Sequence, residues 1–302
     1  MKDFIAKIRE SPHTATIIWL VGLIVAWEIG ACVVAVTKRS PENVLPHLYQ
    51  IIAAIFSTTK VSGGQTVTMI VLSNAAQTLL RAGIGFIIGA GIGFILAIFM
   101  RLSNVVEKIA FPYLMLIQMI PILGMAPIVL AVTHDIGTSR IVIAAILTFY
   151  PVCSSTLAGL KSVEQEKLDL MHLCAANKGQ SYFYTLIPTA IPYLFTGLKI
   201  AAPMAITASI LVDTLQGDGG LGCMLSQSLK HALSIYVFWL IVFLSALVGV
   251  LSAWLMSWLE KRIAPQHRCE RVAAAEARRQ KRYMRMTTGK RTAVAEKGGT
   301  SL

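Results

Sequence analysis

Six stretches of the chain are apolar over the length a helix needs to cross a bilayer, about 20 residues. They run 16–36, 78–100, 109–132, 140–160, 191–212 and 234–259, and most charged residues fall between them. Within hydrocarbon each backbone N–H and C=O has to be satisfied inside the segment, which an α-helix does for itself. The pattern therefore predicts an all-α integral membrane protein with six transmembrane helices. Pro112, Pro121 and Pro127 interrupt the third run, which neighbouring helices can tolerate by covering the freed groups. The first run follows Lys2, Lys7 and Arg9, and Ile29-Gly30-Ala31-Cys32 has the form of a lipoprotein cleavage site. It is longer than the roughly 7–15 residues of a signal-peptide core and holds Glu28, so it is read as a span.

Between the first two spans, Leu45, Leu48, Ile52 and Ile55 form one face of a helix over 44–56, led in by Ser40-Pro41-Glu42. Such a helix is expected to lie in the membrane interface. The following polar residues, 59–65 with Gly63-Gly64, read as a loop. The longest polar connection is 161–190. Within it Leu168, Met171 and Ala175, beside His172, Ala176 and Gly179, recur at helical spacing. A short amphipathic helix is expected there, with Lys178-Gly179 as its stop. Gly85, Gly89 and Gly93 lie four apart, the spacing that lets membrane helices approach closely; no G-x-G-x-x-G is completed, so a dinucleotide site is excluded. Gly217-Asp218-Gly219-Gly220 reads as a turn before a short helix.

Charged residues make up 14% of the chain, against about 25% in soluble domains. The net charge of +12 is concentrated in the tail. If the N-terminus is cytoplasmic, twenty Lys and Arg fall on the cytoplasmic side. Five fall outside: Lys38, Arg39, Lys60, Arg140 and Lys230. The positive-inside rule then places both termini in the cytoplasm. The expected organisation is a cytoplasmic segment 1–15, a membrane domain 16–262 and a basic, partly disordered tail 263–302. Cations of that tail are expected to attract anionic lipid, at about 1 kcal/mol each near the surface. The five cysteines form no C-x-x-C pair, so neither zinc nor a disulfide framework is indicated. Asp213 and Glu28 are ionisable groups at membrane depth and hence candidate pathway residues; the plainer readings are that Asp213 reaches the interface and Glu28 pairs with a polar group. His134-Asp135 reads as a solvated turn. No catalytic constellation and no phosphate loop G-x-x-x-x-G-K-[ST] occurs, so active transport would need a partner or an ion gradient.

Cys174-Ala175-Ala176-Asn177-Lys178-Gly179, followed by Leu186-Ile187-Pro188, resembles the cytoplasmic E-A-A-x-x-x-G … I-x-L-P loop of the permeases of ATP-binding-cassette importers. Cys174 replaces the usual glutamate. The resemblance runs from about 42 to 262 through Val44-Leu45-Pro46, Ala126-Pro127 and Gly219-Gly220-Leu221-Gly222. The branch it is most similar to comprises importers of nitrate, sulfonates, taurine and pyrimidine precursors. The resemblance implies a bacterial inner-membrane permease, paired with a second permease subunit as a homodimer. It also implies two cytoplasmic ATPases holding ATP and Mg, and an extracytoplasmic solute-binding protein. Cys174, Ala175, Ala176 and Gly179 would contact the ATPase, with Leu186 and Pro188 fixing the loop's exit. The chain itself would be no enzyme and hold no cofactor. A gradient-driven transporter and a non-transporting membrane scaffold remain the alternatives.

Overall fold

The computed structural model describes residues 12–38, 44–56, 60–61, 65–216, 219–230 and 235–264. The tail beyond 264, with its expected lipid contacts, lies outside the described residues, as do Gly217 and Asp218. The elements in chain order are α1 (Pro12–Thr37), α2 (Leu48–Phe56), a two-residue antiparallel ladder of β1 (Lys60–Val61) with β2 (Gln65–Thr66), and α3 (Val67–Leu102). Then come α4 (Asn104–Met119), α5 (Ile122–Thr133), α6 (Ile136–Lys161), α7 (Gln165–Leu173), α8 (Lys178–Ser181), a π-helical turn Tyr182–Leu186, α9 (Ile187–Gln216), α10 (Leu221–Lys230) and α11 (Ile235–Ile263).

Five helices are long and apolar enough to cross a membrane, and a sixth crossing exists if α4 and α5 count as one broken span. The third run is thus no straight helix. Its two halves are bent by 109°, and the break falls at Ile120-Pro121, both in extended conformation. Of its three prolines only Pro121 breaks the chain direction. It also lacks the N–H that would continue the helix, and the residue before a proline is pushed out of the α region. Pro112 and Pro127 sit inside α4 and α5. The second and fifth spans extend well past their apolar cores. At about 1.5 Å per residue the 36 residues of α3 run about 54 Å, beyond a hydrocarbon core of roughly 30 Å.

The centre of the molecule is the contact of α3, α6 and α9, and small residues set how close it is. A Cβ at Gly85 would meet Ala144 Cβ and the Ile141 carbonyl oxygen at 2.6 Å, one at Gly89 the Ala145 oxygen at 2.3 Å, and one at Gly93 the Phe149 oxygen at 2.6 Å. Side-chain-free positions every fourth residue therefore let the α3 and α6 backbones touch. Gly83 and Gly91, on other faces of α3, have nothing within 4 Å among the described residues. The seam continues between α6 and α9, where a Cβ at Gly197 would lie 2.7 Å from the Pro151 oxygen and one at Gly159 2.6 Å from Tyr193 Cβ. By contrast α1, α4 and α11 expose long rows of large apolar side chains, such as Trp19, Leu23, Tyr113, Met119, Val250 and Trp254.

Candidate functional site

The segment between α6 and α9 is built from two short helices and a turn. α7 ends at Cys174, after which Ala175 takes a left-handed conformation with φ 53°. The Ala175 amide donates to the His172 oxygen at 2.9 Å and the Ala176 amide to the Met171 oxygen at 3.0 Å, the paired bonds of a Schellman helix end. Asn177 then caps α8: its side chain accepts from the Gln180 amide at 2.8 Å, while Gln180 Oε1 accepts from the Asn177 amide at 2.9 Å. The expectation that Lys178-Gly179 stops the first helix is therefore corrected. The stop is at Cys174-Ala175, and Gly179 sits in the first turn of the next helix. The reciprocal Asn–Gln box satisfies amides there and starts a new helix where a glycine end was expected. Ala175→Gly removes the Cβ penalty of the left-handed turn, about 1 kcal/mol. Hydrogen exchange at the residue 176 amide should slow about fivefold; an unchanged rate would show that this turn does not govern the local opening.

This segment is strongly exposed. Leu173 is 86% exposed, Phe183 and Tyr184 are 70% and 72%, and Cys174, Ala175 and Gly179 are all exposed. Nothing among the described residues demands glycine at 179, since a Cβ there would meet Asn177 Oδ1 at an ordinary 3.5 Å. Leu186 is the opposite case: buried at 3%, it packs with Met100, Leu160 and Ala190 and ties the segment to the core. Pro188 is the second residue of α9. It can supply no N–H, and its ring crowds the carbonyl four residues back, and the π turn just before it, with the Ile187 amide reaching the Tyr182 oxygen, accommodates this.

The other end of the same spans holds a polar joint that is shut off from solvent. Arg140 of α6, Asp213 and Ser209 of α9 and Thr78 of α3 are all 0% exposed. Arg140 Nε lies 2.8 Å from Asp213 Oδ1, an ion pair with its N–H off the direct line. Arg140 also donates to the Gly219 oxygen at 3.3 Å, and the Thr78 hydroxyl donates to Asp213 Oδ2 at 2.7 Å. The start of α10 completes the joint. The Gly220 amide donates to Asn74 Oδ1 at 2.7 Å, the Leu221 amide to Thr78 Oγ1 at 3.0 Å, and the Gly222 amide to the Asp213 carboxylate. A helix begins with amides that have no partner inside it, and a carboxylate there also meets the positive end of the helix dipole. Gly220, at φ 90°, is held where a Cβ would fall 2.1 Å from Asp213 Oδ2.

The Asp213 side chain is enclosed in the bundle. Arg140, counted among the outer charges, is likewise inside the bundle, and removing it leaves the Lys/Arg asymmetry intact. Sequence inspection missed Arg140 and Thr78 as Asp213's partners. The available signal was an arginine inside an apolar run, which has to be paired at membrane depth. Glu28 is paired too, but at the rim. Its carboxylate accepts from the Leu48 amide at 2.9 Å and lies 2.7 Å from His47 Nδ1, joining α1 to the start of α2. His134 ends α5 in a left-handed conformation, and Asp135 caps α6 by accepting from the Thr138 amide and hydroxyl, both at 2.6 Å. These bonds, the hydroxyl's first, hold the Asp135 carboxyl below its ordinary range.

Near the α7 end the ties are of another kind. Lys161 pairs with Glu107, and Lys199 with Glu260 at 2.5 Å, with side chains that keep between 13% and 47% of their exposure. Exposed pairs contribute roughly 0–1 kcal/mol, whereas removing one member of a buried pair costs about 3–5 kcal/mol.

The chain is 27% identical over 244 residues to the formylaminopyrimidine transport permease protein ThiX of Halalkalibacterium halodurans, covering 80% of this chain and 92% of that protein. It is 26% identical to the nitrate import permease protein NrtB of a Synechocystis species, over 80% of this chain and 86% of that protein. To the taurine transport system permease protein TauC of Escherichia coli it is 29% identical, over 56% and 61%. A crystal structure of an amino acid ABC transporter with histidines shares the fold at a TM-score of 0.55 and 20% identity, covering 65% of this chain and 95% of that one. Residues 89–265 match the family described as binding-protein-dependent transport system inner membrane component; this multi-pass membrane chain belongs to that family and is an ATP-binding-cassette transporter permease.

Proposed function

We propose that the protein is the translocation subunit of an ATP-driven importer in a bacterial inner membrane, with both termini cytoplasmic. Two copies form the pathway by alternating access. Two ATPase subunits hold ATP and Mg, and a solute-binding protein delivers a small solute. Permeases of this family are not themselves enzymes, and this chain holds no cofactor. The nitrate, taurine and formylaminopyrimidine permeases it resembles make a small oxyanion or a heterocyclic precursor the favoured solute.

The observation that carries the reading is the exposed α7–α8 segment. Leu170 and Leu173 stay exposed on α7 among Gln165, Glu166, Lys167, Asp169 and His172, while Leu168 and Met171 are half-buried, so lipid is a poor partner and a protein groove a good one. The bare Gly179 is unexplained by packing among the described residues and is explained by close approach of a second protein. Cys174, Ala175 and Ala176 form the turn that ends α7 just before it, while Pro188 and buried Leu186 pass the segment's displacement into α9.

Gly179→Asp tests this. The carboxylate has open space in the permease alone, so membrane insertion and yield should be unchanged. Co-purification of the ATPase and ATP-dependent uptake should both fall about tenfold or more, since an interfacial charge left unpaired costs well over 1.4 kcal/mol. Normal uptake by the variant would sink the docking assignment. Uptake that never needs ATP, but collapses with the ion gradient, would sink the importer reading.

A further inference from the structure

α10 is ten residues long, too short to persist as an isolated helix, so its position is set by what holds its ends. The amide just before it and its own first two amides are bonded by α3 and α9 rather than by a cap of its own. Asn74 takes the Gly220 amide, Thr78 the Leu221 amide and Asp213 the Gly222 amide, while Arg140 grips Asp213 and the Gly219 oxygen together. Its underside is equally committed. Leu221, Gly222 and Cys223 are buried, and a Cβ at Gly222 would fall 1.9 Å from the Ile210 oxygen. No sliding of α10 along α9 is possible without breaking that contact.

We propose that Arg140, Asp213 and Thr78 are positioning residues that seat α10 on the packed α3–α6–α9 unit. α10 then travels through the transport cycle as a rigid cover, not as a hinged flap. The role in transport rests on the importer reading; the seat itself does not. Beside α10 a groove of about 320 Å³ runs between α9 and α11, lined by Ile206, Thr207, Ile210, Val242 and Ser245, and Leu225 of α10 forms part of its wall. The ties at the far end of the same spans, Lys161–Glu107 and Lys199–Glu260, retain exposure and are open to screening by salt. The joint at α10 has no such access. Motion imposed at the α7–α8 segment therefore meets weak ties first and reaches α10 only through the core.

Cys223 is a native reporter, 5% exposed on the seated face, and Cys153, fully buried between α3 and α6, reports on the core. The full chain in proteoliposomes, with Cys32, Cys174 and Cys269 replaced by serine, is treated with N-ethylmaleimide and labelling at each cysteine is read by mass spectrometry. Asp213→Asn and Arg140→Gln should label Cys223 about tenfold faster than the parent, as expected for a local opening, with Cys153 still protected. Arg140→Lys, which keeps the charge but loses the fork, should fall between. Parent-like labelling of Cys223 in both neutral variants would overturn the seat. So would simultaneous exposure of Cys153 in Arg140→Lys, because the joint would then hold the whole bundle and not α10.

A second arm uses the complex with its ATPase and with Cys174 restored. Cys223 should label at rates within about twofold with and without ATP and vanadate, as a rigidly carried element would. A tenfold rise would overturn the rigid cover. Protection of Cys174 by the ATPase reports separately on the importer reading, so unprotected Cys174 with a seated Cys223 would sink that reading alone.

Discussion

Arg140→Ala is expected to cost about 3–5 kcal/mol of stability, because it leaves the Asp213 carboxylate in a solvent-free site without its ion-pair partner, with only the weaker pull of Arg81 remaining. The joint has no route to compensate by hydration: Asp213, Thr78 and Ser209 are all 0% exposed. Thr78 and the Gly222 amide still bond the carboxylate, which places the loss within that range rather than above it. Thermal unfolding in detergent should show the loss directly. A matched double variant, Arg140→Met with Asp213→Leu, should recover much of it, since replacing both members of a buried pair by apolar groups of similar size is often neutral. A single variant as stable as the parent would mean that Arg140 is not the group that neutralises Asp213. The recovery of stability by the double variant says nothing of α10, whose amides would still lack Asp213, so stability and seating of α10 should separate.

Gly89→Leu is expected to cost about 3 kcal/mol, the upper end of the range for overpacked sites. The Cβ alone would sit 2.3 Å from the Ala145 oxygen and 2.9 Å from Thr148 Cβ. The nearer atom is backbone of a neighbouring span, so no rotamer change relieves the clash, and α3 and α6 have to separate along the seam that Gly85 and Gly93 share. Gly91→Ala, two residues away on an open face, is the control. It should be neutral or stabilising, as alanine is favoured over glycine in a helix by nearly 1 kcal/mol. Equal unfolding midpoints for the two variants would show that the α3–α6 contact does not depend on this seam.

The same contrast bears on function. The α3–α6–α9 contact is made of backbone meeting backbone, a packing with little compliance. The α7 end is held by half-exposed ion pairs and an exposed segment. A force applied at Gly179 would therefore be transmitted by a stiff unit and not absorbed within it.

The membrane spans were legible in the sequence because hydrocarbon imposes one local rule, a long apolar run, that every crossing obeys. The short helix α2, the close-packing spacing of Gly85, Gly89 and Gly93, and the bend at Gly219-Gly220 before α10 were legible for the same reason: each depends on residues near one another in the chain. The end of α7 was not, because a left-handed alanine and a capping box at Asn177 compete with the glycine, and small differences in turn energy decide between them. The fate of the third run was half-legible. Three prolines announced a break, but only packing decided that Pro121 would turn the chain and that Pro112 and Pro127 would be absorbed. Arg140 and Asp213 stand 73 residues apart, and neither position identifies the other. An isolated charge in an apolar run says only that a partner must exist, since burial without one is too costly. Which partner it finds is decided when α3, α6 and α9 pack together, and that is information held by the tertiary structure.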